Sequence, residues 1–315
     1  MLLVVFGHFI EPINNIKFFQ SVYQFIYIIH MPAFVFISGY FAKKGVKFND
    51  AFSKYLIPFF VFQLISVALN SLFGLEHPAN SASGFFLFPV RVLWYLVSLF
   101  FWTMILNLIN EKYLKHLLLI SAFLFPIISG IVPGTSLTIS RTLYFFPFFF
   151  LGYYTRVNEL NWVFNANKTI KVVCSVFLAG LLILCTVVLV DRFILYGNYH
   201  FAKSGLNLMS GSLLRSSIIV LSFLSCFALF NLVPKRTTFY SDFGAKTFPI
   251  FLFHDIVVQT FVHFGFLKSL NGIWLALTVI AATLFTYLLT SLNFFGEILL
   301  ALRKPQTKLK VPQNA

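Results

Sequence analysis

Long apolar runs fill almost the whole chain, each broken by a short polar gap. Reading the runs and their breaks predicts ten helices, at about 1–13, 18–42, 52–75, 90–110, 114–133, 140–156, 169–191, 212–233, 244–266 and 271–302. Most approach the roughly 20 residues that a helix needs to cross a bilayer core. A spanning segment must satisfy its own backbone hydrogen bonds, which leaves helices and closed barrels as the options in lipid. The expected fold class is therefore all-α, a polytopic membrane helix bundle of about ten transmembrane helices. The first run is short for a crossing, so the first helix is expected to be incomplete and the natural start to lie upstream of Met1. Residues 1–302 form one membrane domain on this reading, and the polar stretch 303–315 is a basic cytoplasmic tail without a fixed structure. The largest segments on the outer side, about 76–89 and 192–211, are too short for a further domain.

Composition strengthens the membrane assignment. The chain of 315 residues is 59% hydrophobic and 10% charged, and contains 44 Phe. A soluble globular domain is about 25% charged. The net charge of +14 comes from 23 Lys and Arg against 9 Asp and Glu. So basic a chain first suggests nucleic acid, but the basic residues sit in gaps between apolar runs, as in loops facing a membrane surface. With helix 1 running outward, 16 of the 23 basic residues fall on one side, the cytoplasmic one by the positive-inside rule, which places both termini there. Cys174, Cys185 and Cys226 lie within apolar runs without CxxC spacing, so they read as small hydrophobes and not as metal ligands or disulfides. No cleavable signal peptide is visible.

Ionisable groups inside a membrane domain are costly, which makes them candidates for function. His8 and Glu11 are three residues apart and share a helix face. A carboxylate beside an imidazole holds its tautomer and favours its protonated form, as a general base requires; the alternative is a histidine near the helix end with Glu11 in headgroup water. His30 lies two residues before Pro32, whose missing N–H bends the helix and frees nearby carbonyls; the alternative is a buried histidine satisfied by a Ser, Thr or backbone partner. Ser38–Gly39 offers a small surface for close helix approach. His254 and Asp255 are adjacent on one helix and point about 100° apart, so one can face a polar cavity while the other packs. Arg141 at a helix start can hold a pyrophosphate or carboxylate, or reach to headgroups. Trp94 can stack on a sugar face, or anchor in the aromatic belt. Asp191 and Arg192 read as interfacial residues. Walker, GxGxxG, HExxH and GxSxG motifs are missing from the sequence, and a set of histidines with a few carboxylates fits acyl transfer from an activated donor.

The stretches LLVVFGHFIEP, HMPAFVFISGYF, LWYLVSLFFW, PFFFLGYY and FLFHD, in that order, resemble the acyltransferase-3 family of membrane acyltransferases, with the fucose 4-O-acetylase-like branch the nearest in pattern. The resemblance implies a ten-helix membrane domain that moves an acyl group, usually acetyl, from cytoplasmic acyl-CoA (acetyl-CoA) to a hydroxyl of a surface or lipid-linked glycan. It places the family's essential histidine at His8 and its helix-2 signature at Ser38–Gly39–Tyr40. Family members carry an Arg, and often an Asp, some ten residues before that histidine, a region this sequence starts too late to include. On this reading His8 is the base or the relay for the acyl group, and Glu11 orients it. His30, Arg141, Trp94 and His254 hold substrate, while Lys43, Lys44 and Arg236, with Lys47 and Lys235, meet the CoA phosphates. The partners implied are the glycan acceptor, acyl-CoA, the bilayer and glycan-assembly proteins. The rival readings are a glycan-export protein of the same fold without catalysis, and a structural or sensory membrane module.

Overall fold

The computed structural model describes residues 1–13, 15–132, 136–155, 163, 166–233, 244, 246–267 and 272–302. These residues form helices and turns, with no β-strand among them. In chain order the main helices are α1 Leu2–Ile10, α2 Lys17–Tyr40, α3 Phe48–Leu72, α4 Trp94–Leu108, α5 Leu114–Ile131, α6 Ile139–Tyr154, α7 Lys168–Val187, α8 Leu208–Leu232, α9 Thr247–His263, α10 Gly272–Thr290 and α11 Asn293–Leu302. Among the described residues, six are long and apolar enough to cross a membrane: α2, α3, α4 with its leading turn from Arg91, α7, α8 and α10. The stretches Leu2–Ile13 and His116–Ile131 are apolar but shorter.

The boundaries follow the apolar runs closely, except in the last run. The last run breaks after Thr290 into α10 and α11. Thr290 and Ser291 turn their hydroxyls back on the carbonyls of Thr286 (2.7 Å) and Leu288 (2.8 Å), a local competition that favours a helix end. The tail 303–315 lies outside the described residues. Arg215 lies inside α8 and is fully buried. It donates to Ser129 Oγ (3.1 Å) and the Tyr199 carbonyl (3.2 Å), with its guanidinium over the Phe201 ring. The three cysteines are buried and free.

Helices α2 and α6 pack backbone to backbone. A Cβ on Gly39 would overlap the Phe149 carbonyl, and one on Gly152 would overlap the Phe36 carbonyl. The small surface at Ser38–Gly39 is thus used. Beside it, Ser38 donates to the Phe34 carbonyl at 3.0 Å and is hydrogen-bonded to Tyr95 of α4. Aromatic side chains fill the rest of this core. Trp102 stacks on Phe149 and Trp94 on Phe145. In lipid such packing, and not water exclusion, drives helix association.

At the end of the bundle that carries Glu11, two buried glutamines fix the connecting segments. Gln63 of α3 donates to the carbonyls of Phe85 (2.9 Å) and Phe88 (3.0 Å) and accepts from Val90 N–H (2.9 Å). Gln24 of α2 donates to the Val188 carbonyl and accepts from Val190 N–H, both at 2.9 Å. The connecting segments also contain short helices, Ala82–Leu87 and Arg192–Tyr196. Arg91 follows directly on Val90, and Arg192 stands two residues after Val190.

Candidate active site

A cavity of about 290 Å³ opens where α1, α2, α6 and α9 meet these connecting segments. The first turns of the chain supply its chemistry. His8 and Glu11 lie on one face at the end of α1, with Nδ1 of His8 3.3 Å from Glu11 Oε2. Nδ1–H donates to the carboxylate, which leaves Nε2 unprotonated in the neutral ring, a tautomer assigned from the hydrogen-bond network. The other carboxylate oxygen, Oε1, accepts from the Tyr196 hydroxyl at 2.5 Å, and Tyr196 accepts from Tyr23 at 2.7 Å. Burial first, and then the negative Glu11, push the Tyr196 phenol well above its usual pKa, so it remains a donor. Two sets of donors therefore converge on the Glu11 carboxylate, Tyr23 through Tyr196 on one side and His8 on the other.

The remaining sequence candidates separate into three groups. His30, Trp94 and Arg141 line the same cavity as His8 and Glu11. His30 donates from Nδ1 to the Ile26 carbonyl (2.8 Å), one turn back in α2, and Tyr27 meets its ring edge-on. Trp94 is only 7% exposed. It stacks on Phe145 with ring centroids 5.3 Å apart, and the Arg141 guanidinium lies over it at 5.2 Å. Its ring thus holds Arg141 in place and presents little open face to a sugar. His254 stands behind the wall, not on it. It is fully buried, donates from Nδ1 to the Ile250 carbonyl (2.9 Å), and its ring lies 5.3 Å from that of His8. Its neighbour Asp255 is the one that reaches the cavity, as their angular offset on a helix allows. Lys43 and Lys44 are not among the lining residues. They follow α2 at its far end, ten residues past His30 to Tyr40 or about 15 Å of helix, where Lys44 Nζ donates to the Ile109 carbonyl. Arg236 lies outside the described residues.

Sequence reasoning missed several wall residues. Tyr27, Arg91, Arg192 and Tyr196 line the cavity, and Arg91 Nε lies 3.8 Å from Asp255 Oδ2. Arg91 has a φ of +47°, in the left-handed region, a conformation costing a non-glycine residue about 1–3 kcal/mol. The Gln63 clamp on residues 85–90 holds it there. Among the described residues, no three His, Cys, Asp or Glu side chains converge as a metal site.

A half-buried histidine hydrogen-bonded to a carboxylate, in a cavity lined also by Arg91, Arg141 and Arg192, has the groups needed to move a proton. The family model described as an acyltransferase domain matches residues 1–292. The chain belongs to the acyltransferase-3 family. Neither a curated protein nor a solved structure matches it. Family membership makes this a membrane acyltransferase in general terms, and its apolar helices fit a multi-pass chain. In this acyltransferase the family match covers both His8 and Glu11.

Proposed function

We propose that this acyltransferase transfers an acyl group, in the first instance acetyl, from acyl-CoA to a hydroxyl of a surface or lipid-linked glycan, with His8 as the base. The observation that carries the reading is the Glu11 carboxylate on the cavity wall, which accepts from His8 on one side and from Tyr196, itself backed by Tyr23, on the other. Nε2 of His8 takes the hydroxyl proton as the oxygen attacks the thioester carbonyl. The tetrahedral species collapses, the C–S bond breaks, and the departing thiolate takes the proton from His8, which returns the ring to its starting form. Glu11 stabilises the intervening imidazolium. The donor enters from the end where Lys43 and Lys44 lie, the cytoplasmic one, and these lysines meet the CoA phosphates. Counting α1, α5, α6 and α9 with the six longer helices gives ten crossings, with both termini in the cytoplasm.

The test uses the full chain in proteoliposomes with acetyl-CoA and an extracted surface glycan, following ester formation by mass spectrometry. His8→Gln is expected to lower the transfer rate by about 10²–10⁴-fold, the scale of general-base catalysis. A His8→Gln protein that acetylates at the wild-type rate removes His8 from the chemistry. Glycan export that persists without any ester formation favours the transport reading.

A further inference from the structure

Beside the main cavity lies a second one of about 270 Å³, built largely from the connecting segments at the Glu11 end. The two share Arg91, Trp94 and Arg141 as a common wall. The second cavity adds His77, Asn198 and Tyr199, and no carboxylate is among its described lining residues. Two of its buried polar atoms have no partner among the described residues. Arg141 Nε is buried and, among the described residues, has no hydrogen-bond partner. Asn198 is 6% exposed, and its Oδ1 has no partner among the described residues either. Arg91 meets Asp255 only at 3.8 Å and only through Nε.

We infer that the acceptor is an acidic glycan, whose carboxylate or phosphate sits in this second cavity between Arg91 and Arg141 while a neighbouring hydroxyl reaches His8. The inference rests on the proposed acyl transfer only for naming the ligand as acceptor. Guanidinium groups pair with carboxylate and phosphate oxygens through two parallel hydrogen bonds, a geometry that lysine cannot supply. A neutral sugar would bring no charge to either arginine, whereas an acidic group would supply the acceptor that Arg141 Nε lacks among the described residues. Asn198 would read a hydroxyl or amide on the same sugar. The cavities lie side by side against Arg91, Trp94 and Arg141, so a ligand held by these arginines would extend from one toward the other, and their combined volume is in the size range of small-molecule sites.

The experiment measures binding to the full chain in lipid nanodiscs by titration calorimetry. The probes are methyl glucuronide, glucose 1-phosphate and methyl glucoside. At least one acidic probe is expected to bind about tenfold or more tightly than the glucoside, the worth of a charge-assisted hydrogen bond; the tighter of the two identifies carboxylate or phosphate as the source. Arg91→Gln and Arg141→Gln are expected to erase the preference, and His8→Gln to retain it. Equal affinity for neutral and acidic probes, no binding of either acidic probe, or a preference that survives both arginine changes overturns the inference. Arg141 also packs on Trp94, so if Arg141→Gln elutes as an aggregate, Arg91→Gln alone decides. A His8→Gln protein that still transfers acetyl but prefers acidic probes would remove the proposed base and leave the acidic subsite standing.

Discussion

Replacing Glu11 by Gln tests the hydrogen-bond chain at its centre. The carboxylate accepts from two donors, His8 Nδ1–H at 3.3 Å and Tyr196 O–H at 2.5 Å. A carboxamide has one accepting oxygen and one donating nitrogen, so it can satisfy only one of them as the carboxylate does. Tyr196 already accepts from Tyr23, and its shorter bond favours keeping the oxygen on its side. The amide nitrogen then faces His8 and forces the opposite tautomer, with Nε2 protonated and useless as a base. The tautomer penalty is one charge-assisted hydrogen bond, about 1.5–3 kcal/mol. The lost charge adds to it. At 3.3 Å and an effective dielectric of about 20, imidazolium and carboxylate attract by roughly 5 kcal/mol before screening in the open cavity. Together these predict a fall in transfer rate of about 10²–10⁴-fold. Initial rates of CoA thiol release in proteoliposomes measure it. The second arm is sharper. Removing the competing hydroxyl with Tyr196→Phe frees the new amide oxygen to turn toward His8. The double variant Glu11→Gln/Tyr196→Phe is therefore expected to recover about tenfold over Glu11→Gln alone, although Tyr196→Phe by itself slows the enzyme. A double variant slower than both single ones, or a Glu11→Gln enzyme within about threefold of wild type, refutes the argument.

Other outcomes follow from the packing. Gly39→Ala or Gly152→Ala drives a methyl into a facing carbonyl, and detergent thermal melts should show a loss of at least the 1–3 kcal/mol typical of overpacking. Gln63→Leu deletes three hydrogen bonds and strands their buried backbone partners, at about 1–3 kcal/mol each; it should release residues 85–91 to limited proteolysis and raise the KM for the acceptor more than that for acyl-CoA. Trp94→Leu should weaken acceptor use by freeing Arg141 from its ring, whereas Trp94→Phe, which keeps a face for the cation, should stay close to wild type. His77 caps the Pro78–Asn80 turn by accepting from Ala79 N–H at 3.0 Å, and burial, with Arg91 nearby, lowers its pKa. The folded state therefore resists its protonation, and stability held above the ordinary histidine pKa of about 6.5 is lost as the pH falls below it; a His77→Gln protein should show a flatter melting profile between pH 7 and pH 5.

What could be read in advance was what lies within one helical turn. His8 and Glu11 are paired by a three-residue offset, and the angular split between His254 and Asp255 is a property of any helix. The apolar runs locate the helices because lipid leaves no other way to satisfy the backbone. Contacts across long separations carry no such local mark. Tyr196 meets Glu11 across 185 positions, and Gln24 meets Val188 across 164. Neither tyrosine nor glutamine in an apolar run announces a partner, since each is equally at home facing headgroups.

The same reasoning shows why the arginines were misjudged. Arg91 and Arg192 stand at helix ends, where a basic residue normally reaches to headgroups, and the positive-inside count treats them as exceptions to be outvoted. In the bundle they instead stand beside a cavity, because Gln63 and Gln24 draw the preceding segments back onto α3 and α2. A basic residue on the sparsely charged side of a membrane protein already runs against the orientation rule. When a buried amide also clamps the backbone just before it, headgroup contact no longer accounts for its position. A buried Gln in one apolar run, combined with an Arg shortly after a Pro- or Gly-bearing segment in another, is thus the sequence pattern worth testing for cavity arginines. For this chain Gln63→Leu is its direct check: if residues 85–91 stay protected from protease and acceptor KM is unchanged, the clamp does not position Arg91 and the pattern has no predictive value.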